Sequence, residues 1–198
     1  MKRRHFAGLV TTAALAGSLL LTGVNSAAAA PDSSATATAD ARGGIGGATP
    51  NAKLPLLIQV DDKANNIVAT LRGVGVQVYT CGADGKFPAA PREPVATLQN
   101  PRGSTVGIHG RGPFWAAFDG SKVVGTSVAS VASPAGPSNV TWVKLSGAPE
   151  PGAPGLFGKV TFIQRIDTRG GSAPSTPCTP GSTRAVDYST NYVFWAAK

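Results

Sequence analysis

The sequence is poor in the side chains that carry most enzymatic proton and metal chemistry. Its 198 residues include only 2 histidines, His5 near the N-terminus and His109. A histidine metal cluster within one chain is therefore not expected. Cysteine also occurs twice, at Cys81 and Cys178, with neither C-x-x-C spacing nor a neighbouring histidine. Glu93 and Glu150 are the only glutamates, and both stand beside proline in loop-like contexts, which argues against a glycosidase carboxylate pair. Asp61-Asp62 reads first as a turn. No stretch after the first thirty residues keeps a helical apolar period, so β-α-β units and a parallel sheet are not expected. There is no run of Lys/Arg and no interleaving of bases with aromatics, so nucleic acid is not an expected partner. The patterns H-E-x-x-H, P-loop, EF-hand and G-x-S-x-G are all missing. The fragment GGIGG at 43–47 follows no strand and does not complete a dinucleotide fingerprint, so no cofactor is expected.

What is present first is a leader-like N-terminus. Lys2, Arg3 and Arg4 precede an apolar stretch from about Phe6 to Val24, followed by the small-residue pattern Ala27-x-Ala29. This is the layout of a secretory signal peptide over residues 1–29, with cleavage near Ala27 to Ala29. The apolar core is short and lacks a basic flank after it, so a stable membrane span is not expected. Without those three basic residues, 15 Lys+Arg face 10 Asp+Glu, an excess of +5 that is scattered along the chain. Residues 30–52 are rich in Ala, Thr, Ser and Gly without apolar periodicity, and read as a disordered linker. Residues 53–198 are long enough for one domain with its own core.

That domain reads as all-β. Glycine (25) and proline (16) are abundant, and short alternating or apolar runs recur between turn signals. Candidate strands are Leu56–Val60, Ile67–Leu71, Val74–Cys81, Val95–Gln99, Thr105–His109, Pro113–Phe118, Lys122–Ala132, Val140–Leu145, Lys159–Asp167 and Ala185–Trp195. In Val74–Cys81 the residues Val74, Val76 and Val78 share one face, and Gln77, Tyr79 and Cys81 the other. About nine short strands in one domain predict a single antiparallel β-sandwich or flattened β-barrel. In an exported chain the even cysteine count predicts a Cys81–Cys178 bridge, with free thiols or an intermolecular bridge as the alternatives.

Two site hypotheses follow. In the first, His109, Trp115, Tyr79, Arg165 and Trp142 line a pocket for a glycan, cell-wall component or small polar or anionic ligand, without catalysis. In IQRIDT, Gln164 and Arg165 face opposite sides of a strand. A buried Arg165 needs a partner, and Asp167, two residues on, is placed to supply it. In the second, His109 is the general base of a hydrolase, with Ser121 or Ser104 as nucleophile and Asp119 or Asp167 as orienter. Against it, Asp119-Gly120 is a strong hairpin signal, which makes Asp119 and Ser121 turn residues, Trp115 a core residue and His109 a backbone-bonding prop. The non-enzymatic reading is favoured.

Several of these segments together resemble the domain of unknown function 3455 family. They are Gly75-Val76-Gln77-Val78-Tyr79-Thr80-Cys81, Val106-Gly107-x-His109 with Gly112-Pro113-x-Trp115, and Asp119-Gly120-Ser121-x-Val123-x-Gly125. Ile163-Gln164-Arg165, Thr168-x-Gly170-Gly171-x-x-Pro174, Cys178 and Val186-x-Tyr188-x-x-x-Tyr192-x-Phe194 complete the match. It covers about Leu54 to Phe194. The chain departs from the pattern at Phe87, where a tryptophan is expected. The resemblance implies a secreted bacterial or fungal protein without an established activity. Some fungal relatives carry a malate dehydrogenase label, which this chain, lacking a Rossmann fingerprint and alternating helices, does not support.

Overall fold

A computed structural model describes residues 47–90, 92–152 and 154–198. The expected leader and the linker up to residue 46 lie outside the described residues. Eight antiparallel strands form a closed barrel in which each strand pairs with its sequence neighbours. They are β1 (Asn65–Thr80), β2 (Glu93–Gln99), β3 (Thr105–Gly110), β4 (Phe114–Ala117), β5 (Lys122–Val131), β6 (Trp142–Pro149), β7 (Val160–Gly170) and β8 (Thr183–Ala197). The longest ladder is the closure, where β1 meets β8 from Asn65↔Ala197 to Thr80↔Thr183. The choice between sandwich and barrel is thus settled in favour of the barrel, with eight strands instead of about nine. The runs 67–71 and 74–81 join into one 16-residue strand. Leu56–Val60 is not a strand: behind Pro55, Leu56–Ile58 makes a single 3-10 turn. Pro55 has no N–H to give a sheet and holds φ near −54°, which suits a turn.

Alternation along each strand sorts residues between lumen and exterior. On β1, Leu71, Gly73, Gln77 and Tyr79 are buried on the lumen side, while Val74 on the opposite face is exposed. Gly73 is required there because a Cβ would lie 2.6 Å from the Tyr192 ring, which crosses the lumen over it. One end of the lumen is filled by Leu71, Leu98, Trp115, Val123, Leu145, Phe157, Ile163, Tyr192 and Phe194. Phe157 comes from the β6–β7 connection and plugs that end, fully buried with its ring 4.6 Å from that of Phe194.

A second core lies outside the barrel. Leu54, Ile58 and Val60 cover Trp142, Ile166, Val193 and Trp195, the outward-facing residues of β6, β7 and β8. This explains why β7 and β8 are apolar on both faces. Gln164 is the polar pin of the layer: its Nε2 donates to Ile58 O (2.8 Å) and Asn51 Oδ1 (3.0 Å), and its Oε1 accepts from Trp195 Nε1 (2.8 Å). The last residues of the expected linker therefore belong to the fold. Asn51 contributes further by bonding both N–H and C=O of Val60. No helix among the described residues is long and apolar enough to cross a membrane.

Candidate ligand-binding cavity

The barrel end opposite Phe157 holds a cavity of about 660 Å³. Its apolar walls include Val143, Leu145, Pro94 and Pro113, and its polar lining includes Gln77, Arg92, His109, Arg165 and Tyr192. The volume and the few convergent polar groups are typical of a small-molecule site.

Arg165 projects into this lumen from β7, opposite Tyr192 on β8 and Val143 on β6. Its Nε and Nη2 donate to Thr141 O at 3.2 and 2.7 Å, and Nη2 also approaches Thr141 Oγ1 at 3.3 Å. Among the described residues Arg165 makes no ion pair, and its Nη1 donates no hydrogen bond. Burial pulls its pKa down, and Arg92 nearby acts in the same direction. A guanidinium nevertheless remains charged. Arg92 is likewise without an ion pair among the described residues, its Nη1 donating to Ala89 O at 2.9 Å. The phenols around Arg165 do not neutralise it: burial raises the pKa of Tyr79, Tyr188 and Tyr192. The one carboxylate of the lining, Glu93, pairs with exposed Arg111 at 3.1 Å.

The expected Arg165–Asp167 pair does not form. The β7–β8 register shifts between Ile166 and Arg169, and Asp167 sits in that bulge at φ 52°. One inserted residue reverses the side on which a side chain emerges. Asp167 accordingly holds the N-terminal segment, accepting from Thr49 N (2.9 Å), Thr49 Oγ1 and Asn191 Nδ2 (3.0 Å).

His109 lies on the lumen face of β3 and is 4 % exposed. Its ring stacks on Trp115 with centroids 4.5 Å apart, and Tyr192 meets it edge-on at 5.1 Å. Nδ1 lies 2.7 Å from Phe114 O. A carbonyl can only accept, so Nδ1 carries the proton and Nε2 presents its lone pair. Desolvation lowers the pKa to about 4, opposed by the Phe114 bond and assisted by the Arg165 charge. His109 is therefore a neutral acceptor at pH 7. Gln77, buried on the lumen face of β1, has an Oε1 without a hydrogen-bond partner, and the same is true of Trp115 Nε1.

The residues weighed for hydrolysis are engaged elsewhere. Ser121 Oγ donates to Asp119 Oδ1 (2.6 Å) and accepts from Phe157 N (3.0 Å), while Asp119 Oδ2 accepts from Leu156 N (2.7 Å). These bonds hold Asp119 below the usual carboxylate range, the Ser121 hydroxyl contributing most. They clamp the plug loop at the filled end, beyond Ala117, whereas His109 pairs with Trp115 toward the open end. Ser104 lies in the β2–β3 turn, its N–H donating to Asn100 Oδ1. Ser121→Ala should cost about 2 kcal/mol, because it strands the buried Phe157 N–H. Urea unfolding measures this, and a change under 0.5 kcal/mol would refute the clamp.

Of the five residues expected to line a pocket, His109, Trp115 and Arg165 do so together. Tyr79 stands on the same lumen face nearer the rim, where its hydroxyl donates to Gly171 O at 2.5 Å. Trp142 is not in the cavity. It precedes inward-facing Val143 and so points outward, into the layer under Ile58. Arg92 and Tyr192 were missed as lining residues. The parity of β8, with Tyr188 and Tyr192 on one face, carried a signal for the second. Among the described residues no group of three or more His, Cys, Asp and Glu is placed to hold a metal.

The sequence model of one family matches residues 62–196, and that family is described as "Protein of unknown function (DUF3455)". No curated protein and no solved structure matches the chain.

Proposed function

We propose that this chain, which belongs to the DUF3455 family of proteins of unknown function, is a non-enzymatic carrier or sensor barrel that takes a small organic anion into its lumen. The observation that supports this best is the pair of arginines, 92 and 165, at one cavity with no carboxylate paired to either among the described residues. Enclosing a cation without a counter-charge is costly, and an anion entering the cavity would relieve that cost. With no partner on its Nη1 among the described residues, the Arg165 guanidinium can still donate to a carboxylate. Apolar walls would cover the body of such a ligand. The disulfide between Cys81 and Cys178 is in keeping with an oxidising compartment, and we place the carrier outside the cell. A wall glycan is a poorer fit to this cavity than a small acid, because the lining offers few side-chain hydroxyl partners.

Thermal-shift and calorimetric titration against a panel of aromatic and aliphatic carboxylates tests the reading. At least one acid should raise the Tm, and Arg165→Gln should weaken its binding by roughly tenfold or more, the loss expected when a charge-assisted pair is removed. If no acid binds, or if binding is indifferent to Arg165, the reading fails.

A further inference from the structure

Resting on that reading, we infer that the anion taken by the lumen also carries a hydroxyl that donates to His109, as a hydroxylated aromatic acid does. The inference comes from His109, a residue the arginine pair leaves unexplained. Its ring is fixed from three directions. Phe114 O holds Nδ1, the Trp115 ring covers one face, and the Tyr192 edge closes the side. What remains is Nε2, for which no hydrogen bond forms among the described residues. His109 is part of the cavity lining, so this open acceptor is placed to take a donor from the ligand.

Three properties make the acceptor selective. First, the imidazole is neutral, since desolvation and the Arg165 charge both act against a second proton. It therefore neither attracts nor repels the acid group, which is left to the arginines. Second, Gln77, another residue of the lining, buries an Oε1 that also has no partner among the described residues. The charged donors of the cavity are thus Arg92 and Arg165, the open acceptor is His109 Nε2, and Trp115 beside it holds a buried neutral N–H without a partner. A ligand that meets both carries an acid group for the arginines and a hydroxyl donor for His109. Third, the floor is aromatic, with His109, Trp115 and Tyr192 meeting in stacked and edge contacts. A planar ring between acid and hydroxyl suits such a surface better than a flexible chain.

The test compares three probes on the intact protein by calorimetry: benzoate, 4-hydroxybenzoate and 4-methoxybenzoate. The hydroxyl compound should bind roughly tenfold or more tightly than either of the others, because a site built to bond a hydroxyl rejects the analogue lacking the donor. In His109→Phe the ratio of affinities between 4-hydroxybenzoate and benzoate should fall to about one. If that variant does not fold, the 15N resonance of His109 Nε2 in the wild type replaces it. This resonance should move on saturation with 4-hydroxybenzoate and stay in place with benzoate. Equal affinities for the three acids, all still dependent on Arg165, overturn the hydroxyl assignment and leave the anion reading standing. Equal affinity is also the result if a water molecule supplies the donor. Failure of all three to bind overturns the assignment, and failure of the wider acid panel overturns the reading beneath it.

Discussion

Replacing both cysteines with serine is expected to lower the stability of the barrel by about 4–5 kcal/mol, the largest effect of any change considered. Cys81 and Cys178 are bridged across 97 residues, nearly half the chain. In the chain-entropy description the gain from a cross-link grows with the loop it closes. Here the loop spans the strands that must be traversed before β8 can meet β1. That last pairing closes the barrel and joins the most distant parts of the domain. The bridge sits at its end, one residue beyond Thr80. Cys81 N donates to Ser182 O, Gly181 N to Cys81 O and Cys178 N to Gly85 O, so the native backbone around the sulfurs is held without the bridge. The effect therefore falls on the unfolded ensemble. Urea unfolding of the oxidised protein and the double serine variant should give midpoints far apart. The variant's m-value should be somewhat larger, since its unfolded chain is no longer looped. A difference below 1 kcal/mol would show that the bridge adds nothing to closure.

How much of this was legible beforehand differs by element. The all-β class and the hairpin around Asp119-Gly120 follow from alternation and turn chemistry, which are local. Closure is not local. Whether β8 returns to β1 or stops at a sandwich edge depends on accumulated twist and on the bridge, and no short window carries that. The face assignment on β1 shows a second limit. Val74 and Gln77 alternate cleanly, yet the usual rule would bury the valines. The lumen instead receives Gly73, Gln77 and Tyr79, because a barrel with a cavity has a polar interior as well as an apolar one. Arg165 and Asp167 mark a third limit. Their parity predicts a pair, and a single bulge with no glycine to announce it sends them to opposite sides. Trp142 was readable: Val143 and Leu145 inward leave it outward. The layer that makes this exterior position buried was read instead as a strand, Leu56–Val60, because a short apolar run does not tell a covering 3-10 turn from a sheet element, and Asn51 fell in the expected linker.

Acidification is expected to destabilise the protein before its carboxylates titrate, and His109 is the cause. Its folded pKa of about 4 lies below the 6.5 of an unfolded histidine. A depressed histidine favours the neutral form in the folded state. Its contribution is thus fully present above pH 6.5, lost as pH falls from 6.5 toward 4, and unchanged below that. The slope in this window is about 1.4 kcal/mol per pH unit, and the whole interval is worth roughly 3 kcal/mol. The physical origin is the closed surroundings of the ring. An imidazolium there would lie between Trp115 and Tyr192, away from water, under the field of Arg165, with only Phe114 O to favour it. Urea unfolding from pH 8 to pH 5 stays above the ordinary carboxylate range and isolates the effect. Stability should hold from pH 8 to 7 and then drop by about 2 kcal/mol by pH 5. In His109→Gln the same interval should be nearly flat, whatever the absolute loss from the substitution. A wild type as stable at pH 5 as at pH 7 would mean that the ring accepts its proton freely. The neutral acceptor on which the hydroxyl assignment depends would then no longer stand.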